Sequence, residues 1–182
     1  MEKEKYFTKT GVTMINLSDD RKMKDEYFKA DPQSPLTEAQ KLDFSGLHYF
    51  PENPALRFIL ELQPFKEKEP ASLQTSKGDV RSYVRYGEIH FTVDGENARL
   101  TVYETEYGFF LPFVDALAGQ ETYPAGRYLE IEDQGDGMYL VDFNMAYNPY
   151  CAYNDRWSCP LTPIENHLSV AIRAGEKIYS FH

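Results

Sequence analysis

The sequence predicts a mainly β fold, an antiparallel barrel or sandwich-like sheet preceded by two short N-terminal helices. Three observations lead there. From about Leu47 onward the apolar residues recur with a period of two. Glycine-bearing turns separate the short alternating runs. Helix-boundary signals concentrate in the first 46 residues.

The elements follow in order. Ser18 is the expected cap of a first helix, with Asp19 and Asp20 in its first turn, where the helix dipole favours anions. Met23, Tyr27 and Phe28 follow at helical spacing and Pro32 closes the segment. Thr37-Glu38-Ala39-Gln40 is a capping-box pattern for a second short helix, with Leu36 as its staple and Gly46 as its end. Leu56 to Leu62 alternates as a strand and stops at Pro64, and Lys66–Pro70 reads as a charged loop before further strands. Glu88–Val93 and Arg99–Tyr103 form a hairpin across Asp94-Gly95-Glu96-Asn97. Tyr128–Glu132 and Met138–Phe143 form a second across Gln134-Gly135-Asp136-Gly137. A last strand is expected at Leu168–Ile172. The 182 residues fit one domain, residues 1–46 as a helical segment packed on a β body of residues 47–182.

Composition excludes some functions. The net charge of −10 repels phosphate backbones and anionic lipid heads, and no Lys/Arg cluster reverses it locally. Nucleic acid and membrane surfaces are therefore not expected as partners. The N-terminus lacks an apolar signal region, so the cytoplasm is the expected compartment and the two cysteines are expected as thiols. An exposed strand edge leaves a homo-oligomer open.

The segment from Asp142 to Asn166 breaks the β pattern. It holds Pro149, Pro160 and Pro163, both cysteines, the only Trp and three tyrosines. The prolines exclude a regular helix or central strand, while the aromatics argue against a solvated loop. An ordered loop folded over one end or face of the body is the expected form, either as a functional loop or as a plug.

A resemblance enters here. Phe113-Val114-Asp115, Gly119-Gln120-Glu121-Thr122-Tyr123, Gly126-Arg127-Tyr128-Leu129, Asp142-Phe143-Asn144, Ala146-Tyr147-Asn148-Pro149-Tyr150-Cys151-Ala152-Tyr153, Ser158-Cys159-Pro160-Leu161, Glu165-Asn166 and Ala174-Gly175-Glu176-Lys177 occur in this order. This resembles a family of bacterial and archaeal proteins known as domain of unknown function 1684. The resemblance implies one compact domain and no activity.

The chemistry must be argued from the residues. Cys151, Cys159 and His167 are spaced eight apart, unlike the close pairs of structural zinc sites, so no cofactor is indicated and no metal site is expected. A thiol nucleophile at Cys151 would need a base such as His167, and a reversible Cys151–Cys159 redox pair is a further alternative. Asp142 and Glu165 are candidate acid–base groups. The first reading is a binding module for a small polar or anionic organic ligand, with Arg127 supplying charge, Asn144, Asn148 and Asn166 hydrogen bonds, and Tyr147, Tyr150, Tyr153 and Trp157 walls. The alternatives are a hydrolase or transferase using Asp142, Glu165 or Cys151, and a structural or interaction protein without a pocket.

Overall fold

A computed structural model describes residues 16–179; of the expected helical segment, residues 1–15 lie outside the described part. Two helices, α1 (Leu17–Ala30) and α2 (Glu38–Asp43), precede eight strands. These are β1 (Arg57–Glu61), β2 (Gln63–Gln74), β3 (Val80–Val93), β4 (Glu96–Thr105), β5 (Gly108–Phe113), β6 (Arg127–Leu129), β7 (Glu132–Gly135) and β8 (Met138–Asp142). They form two antiparallel sheets, β2-β3-β4-β5-β6 and β1-β8-β7, so the mainly β expectation takes its sandwich-like form and not that of a closed barrel. Among the described residues, no helix is long and apolar enough to cross a membrane.

Local chemistry explains most boundaries. The β3–β4 turn narrows to Asp94-Gly95, both with positive φ (50° and 84°), as a two-residue hairpin matching the strand twist requires. Asp136-Gly137 closes β7–β8 in the same way, with φ of 54° and 76°. Thr37 caps α2 with the full capping box to Gln40.

Five expectations need correction. The cap of α1 is Asn16, whose side chain accepts the Asp19 amide at 2.9 Å, and not Ser18; both residue types cap well, so the sequence does not choose between them. Helix α2 stops at Asp43 rather than Gly46, because Phe44 is drawn into an aromatic cluster. Pro64 and the Lys66–Pro70 stretch do not break the chain into a loop, since β2 runs through both with a bulge between Pro64 and Glu69. As an edge strand it tolerates prolines, and its charged residues discourage pairing with another chain. The expected strand Tyr128–Glu132 is divided between the sheets, with β6 on β5 and β7 on β8. Residues 168–172 form no strand, because the chain bends at Ser169 and Val170. After the Leu168 amide reaches the Val114 carbonyl at 2.8 Å, the Ile172 amide is taken by the Asp115 carboxylate at 2.9 Å, which ends the ladder.

The main core lies where the sheets meet, around Phe143, whose ring packs against Phe58, Phe91 and Phe113 at 5.3–6.2 Å. A smaller cluster of Phe28, Leu36, Phe44 and Tyr153 joins the helices to the body. That second cluster puts α1 and α2 directly against the proline-rich segment.

Candidate functional site

Residues 143–166 are built from three single-turn 3-10 helices, Phe143–Met145, Tyr150–Ala152 and Ile164–Asn166. Asp142, Pro149 and Pro163 precede them, and the two prolines hold φ at −62° and −63°. Tyr147 pairs with Tyr128 through two backbone hydrogen bonds of 2.8 and 3.0 Å, which fixes the segment on the outer side of β6.

The expected ligand-binding residues turn inward. Arg127 is 1% exposed. Its guanidinium donates to the carbonyls of Ile172, Ala174 and Glu176 and lies 3.7 Å from the Asp115 carboxylate. Burial pulls its pKa down to about 10, opposed by Asp115 and Glu176, so it remains charged at neutral pH. Asn144 exchanges bonds with the backbone of Asn53, accepting at 2.8 Å and donating at 3.0 Å. Asn166 does the same with Thr101 and also donates to the Pro112 carbonyl at 2.7 Å. The Asn148 amide side chain donates to the Lys177 carbonyl, and its backbone N–H donates to the Glu176 carboxylate, both at 2.8 Å. Tyr150 is half-buried, its hydroxyl 3.3 Å from that of Tyr27.

The acid–base candidates also have partners. Asp142 accepts the backbone and side-chain N–H groups of Asn144, with Arg57 at 3.4 Å. Glu165 accepts the Tyr103 hydroxyl at 2.7 Å and faces Arg85 at 3.5 Å. The two carboxylates thus serve different parts of the fold. His167, the suggested base, is exposed and lies 3.4 Å from the Thr162 carbonyl. No group of His, Cys, Asp and Glu residues among the described residues is arranged to hold a metal.

The structure does bring the two cysteines together. Neither is in a disulfide; Cys151 is half-buried and Cys159 buried. The Cys159 sulfur accepts the Cys151 backbone N–H at 3.3 Å, and the Tyr123 hydroxyl lies 3.8 Å from the Cys151 sulfur. Hydrogen bonding from Cys159 pulls the Cys151 pKa down to about 6, with burial opposing and the Tyr123 and Ser76 hydroxyls assisting. The effect is reciprocal, since burial and the Cys151 sulfur push the Tyr123 phenol upward. Cys159 is positioned by the turn after β2, where its N–H reaches the Ser76 hydroxyl at 3.2 Å and its carbonyl accepts the Ser76 N–H at 2.9 Å.

This segment and the strands that seat it fall within residues 42–177, which match the family described as protein of unknown function, DUF1684. The chain belongs to the DUF1684 family. It is also similar to the solution NMR structure of an uncharacterized protein from gene locus rrnAC0354 of Haloarcula marismortui. The two share 37% identity over 88% of this chain and 91% of the other, with a TM-score of 0.68. No curated protein matches the chain.

Two features of this segment's surroundings in the DUF1684 chain escape the sequence reading. One is Tyr123, which approaches Cys151 from 28 residues away. The other is Glu176, 1% exposed, whose carboxylate accepts the Tyr153 hydroxyl at 2.6 Å and pairs with Lys24 of α1. The Lys24 ammonium also sits 4.9 Å from the Tyr147 ring centroid. Both residues stand in the family-like motifs, but nothing local marks either as buried beside its partner.

Proposed function

We propose that this chain is a thiol-dependent protein in which Cys151 is the nucleophile and Cys159 and Tyr123 hold it as a thiolate. The observation that carries the reading is the partly exposed Cys151 sulfur, with the Tyr123 hydroxyl 3.8 Å away and the Cys159 sulfur held on the Cys151 backbone N–H at 3.3 Å, a setting that lowers the Cys151 pKa to about 6. A thiolate at neutral pH is what nucleophilic or redox chemistry needs, and here hydroxyl and thiol donors supply it without a histidine. The test is the pH profile of alkylation by iodoacetamide. Above the Cys151 pKa the thiolate reacts, and as pH falls through about 6 the rate declines. One fast thiol with an inflection near 6 is expected, with Cys159 reacting only on unfolding. An inflection near the ordinary value of about 8.5 would overturn the reading.

A second reading, a binding module for a small polar or anionic ligand, has one observation in its favour. Arg127 Nε, Asn148 Oδ1 and the Tyr49 hydroxyl are buried, lack a hydrogen-bond partner, and belong to residues that adjoin Glu176. Such atoms cost about 1–3 kcal/mol each when left unmatched, so a polar molecule that matched them would be held. A thermal-shift screen of hydroxy- and amino-carboxylates tests it, since such molecules offer an acceptor to Arg127 Nε and a donor to Asn148 Oδ1. A rise in Tm that disappears in Asn148→Ala is the expected result, and no shift with any ligand of that class removes the reading.

A further inference from the structure

We propose, building on the thiol reading above, that Cys151 and Cys159 form a reversible disulfide by exchange with a low-molecular-weight disulfide, and that this bridge loosens α1 and α2 from the body. The two sulfurs have unequal roles. Cys151 is partly exposed and attacks; Cys159 is buried and can only resolve. In the first step the Cys151 thiolate attacks one sulfur of the small disulfide. Its S–S bond breaks, one small thiolate leaves, and a mixed disulfide forms on Cys151. Cys159 then loses its proton and attacks the Cys151 sulfur. The second small thiolate leaves and takes up that proton. Two protein thiols are oxidised and one small disulfide is reduced to two thiols.

The coupling follows from what holds each cysteine. Cys159 is anchored on the β2–β3 side. Around it, Ser76 is bonded in both directions, the Leu161 N–H reaches the Gln74 carbonyl at 2.7 Å, and the Ser158 hydroxyl reaches Asp79 at 2.6 Å. Cys151 sits on the turn Tyr150–Ala152, which faces the N-terminal helices. Gln40 donates to the Tyr153 carbonyl at 2.9 Å and Arg156 to the Ser34 carbonyl at 3.0 Å. The Trp157 indole reaches the Pro35 carbonyl at 3.4 Å, and the Phe28 ring packs 4.9 Å from Tyr153. Every one of these contacts lies on residues 150–157, ahead of the anchored Cys159. Forming the S–S bond replaces the contact between the Cys159 sulfur and the Cys151 backbone N–H and draws the Cys151 turn toward the fixed side. A close-packed cluster such as Phe28, Leu36, Phe44 and Tyr153 does not absorb such a shift without losing contact.

The experiment uses the full chain with oxidised glutathione as the probe, read by intact mass and by amide hydrogen exchange. The expected result is loss of both thiols without retained glutathione. Amide exchange over residues 17–43 should then speed up at least tenfold, while the strands stay protected. Cys159→Ser should retain glutathione on Cys151 and leave that exchange unchanged. If neither cysteine reacts in the wild type, the thiol reading itself falls. If glutathione stays on wild-type Cys151, the resolving role of Cys159 falls. If the bridge forms and exchange over residues 17–43 does not change, the coupling alone is overturned.

Discussion

Arg127→Met is expected to destabilise the chain by about 3–5 kcal/mol, the usual consequence of removing one partner of a buried ion pair. The guanidinium is 1% exposed and serves three carbonyls, at Ile172, Ala174 and Glu176, besides facing Asp115. Those carbonyls lie on consecutive alternate residues of an irregular segment, where no neighbouring strand would satisfy them. Methionine matches much of the arginine volume, so packing changes little and the loss reports the polar contacts. It also leaves Asp115 buried with only the Thr122 hydroxyl and the Ile172 N–H as partners. Arg127→Lys would not restore the site, since one ammonium cannot span carbonyls that two guanidinium nitrogens reach. Urea denaturation measures the effect. The double variant with Asp115→Asn should lose less than the sum of the single losses, because the uncompensated charge is then removed as well. A single-variant loss below about 1 kcal/mol would mean that Arg127 is not the clamp of residues 172–176.

That clamp marks the limit of what the sequence discloses. The hairpin turns are legible because Asp-Gly at positive φ is a local requirement, and α2 is legible because its capping box spans four residues. Strand β2 is not, because an edge strand exposed along most of its length loses the alternation that marks a strand. Arg127 reads as a ligand contact since arginines are seldom buried, and the carbonyls that bury it come from 45 to 49 residues downstream. Asn144 and Asn166 escape for the same reason. Each imitates a backbone strand partner for a distant chain segment, Asn53 and Thr101 respectively, and no local pattern announces that. The location of the Asp142–Asn166 segment was legible from its composition. The proximity of its cysteines is not legible, because it depends on Ser76 and Tyr123, far away in the chain.

Cys159→Ala is expected to move the alkylation inflection of Cys151 from about 6 toward the ordinary thiol value of about 8.5, because the hydrogen bond from Cys159 is the largest contribution holding the thiolate. The inflection, not the rate at neutral pH, is the quantity to read. At pH 7 a thiol of pKa 6 is about 90% ionised and one of pKa 8.5 roughly 3%, a ratio of about thirty. Intrinsic nucleophilicity works in the opposite direction. With a Brønsted slope of about 0.4–0.5, a shift of 2.5 makes the low-pKa thiolate roughly ten- to twentyfold less reactive. The two effects nearly cancel at pH 7, leaving only a two- to threefold difference. At pH 5.5 the ionised fractions differ by about two hundredfold, and the wild type should react at least tenfold faster than the variant. Tyr123→Phe, which removes a smaller contribution, should move the inflection less. If Cys159→Ala leaves the profile where it was, the thiolate is held by something other than its neighbouring sulfur, and Cys159 loses its assigned part in the chemistry.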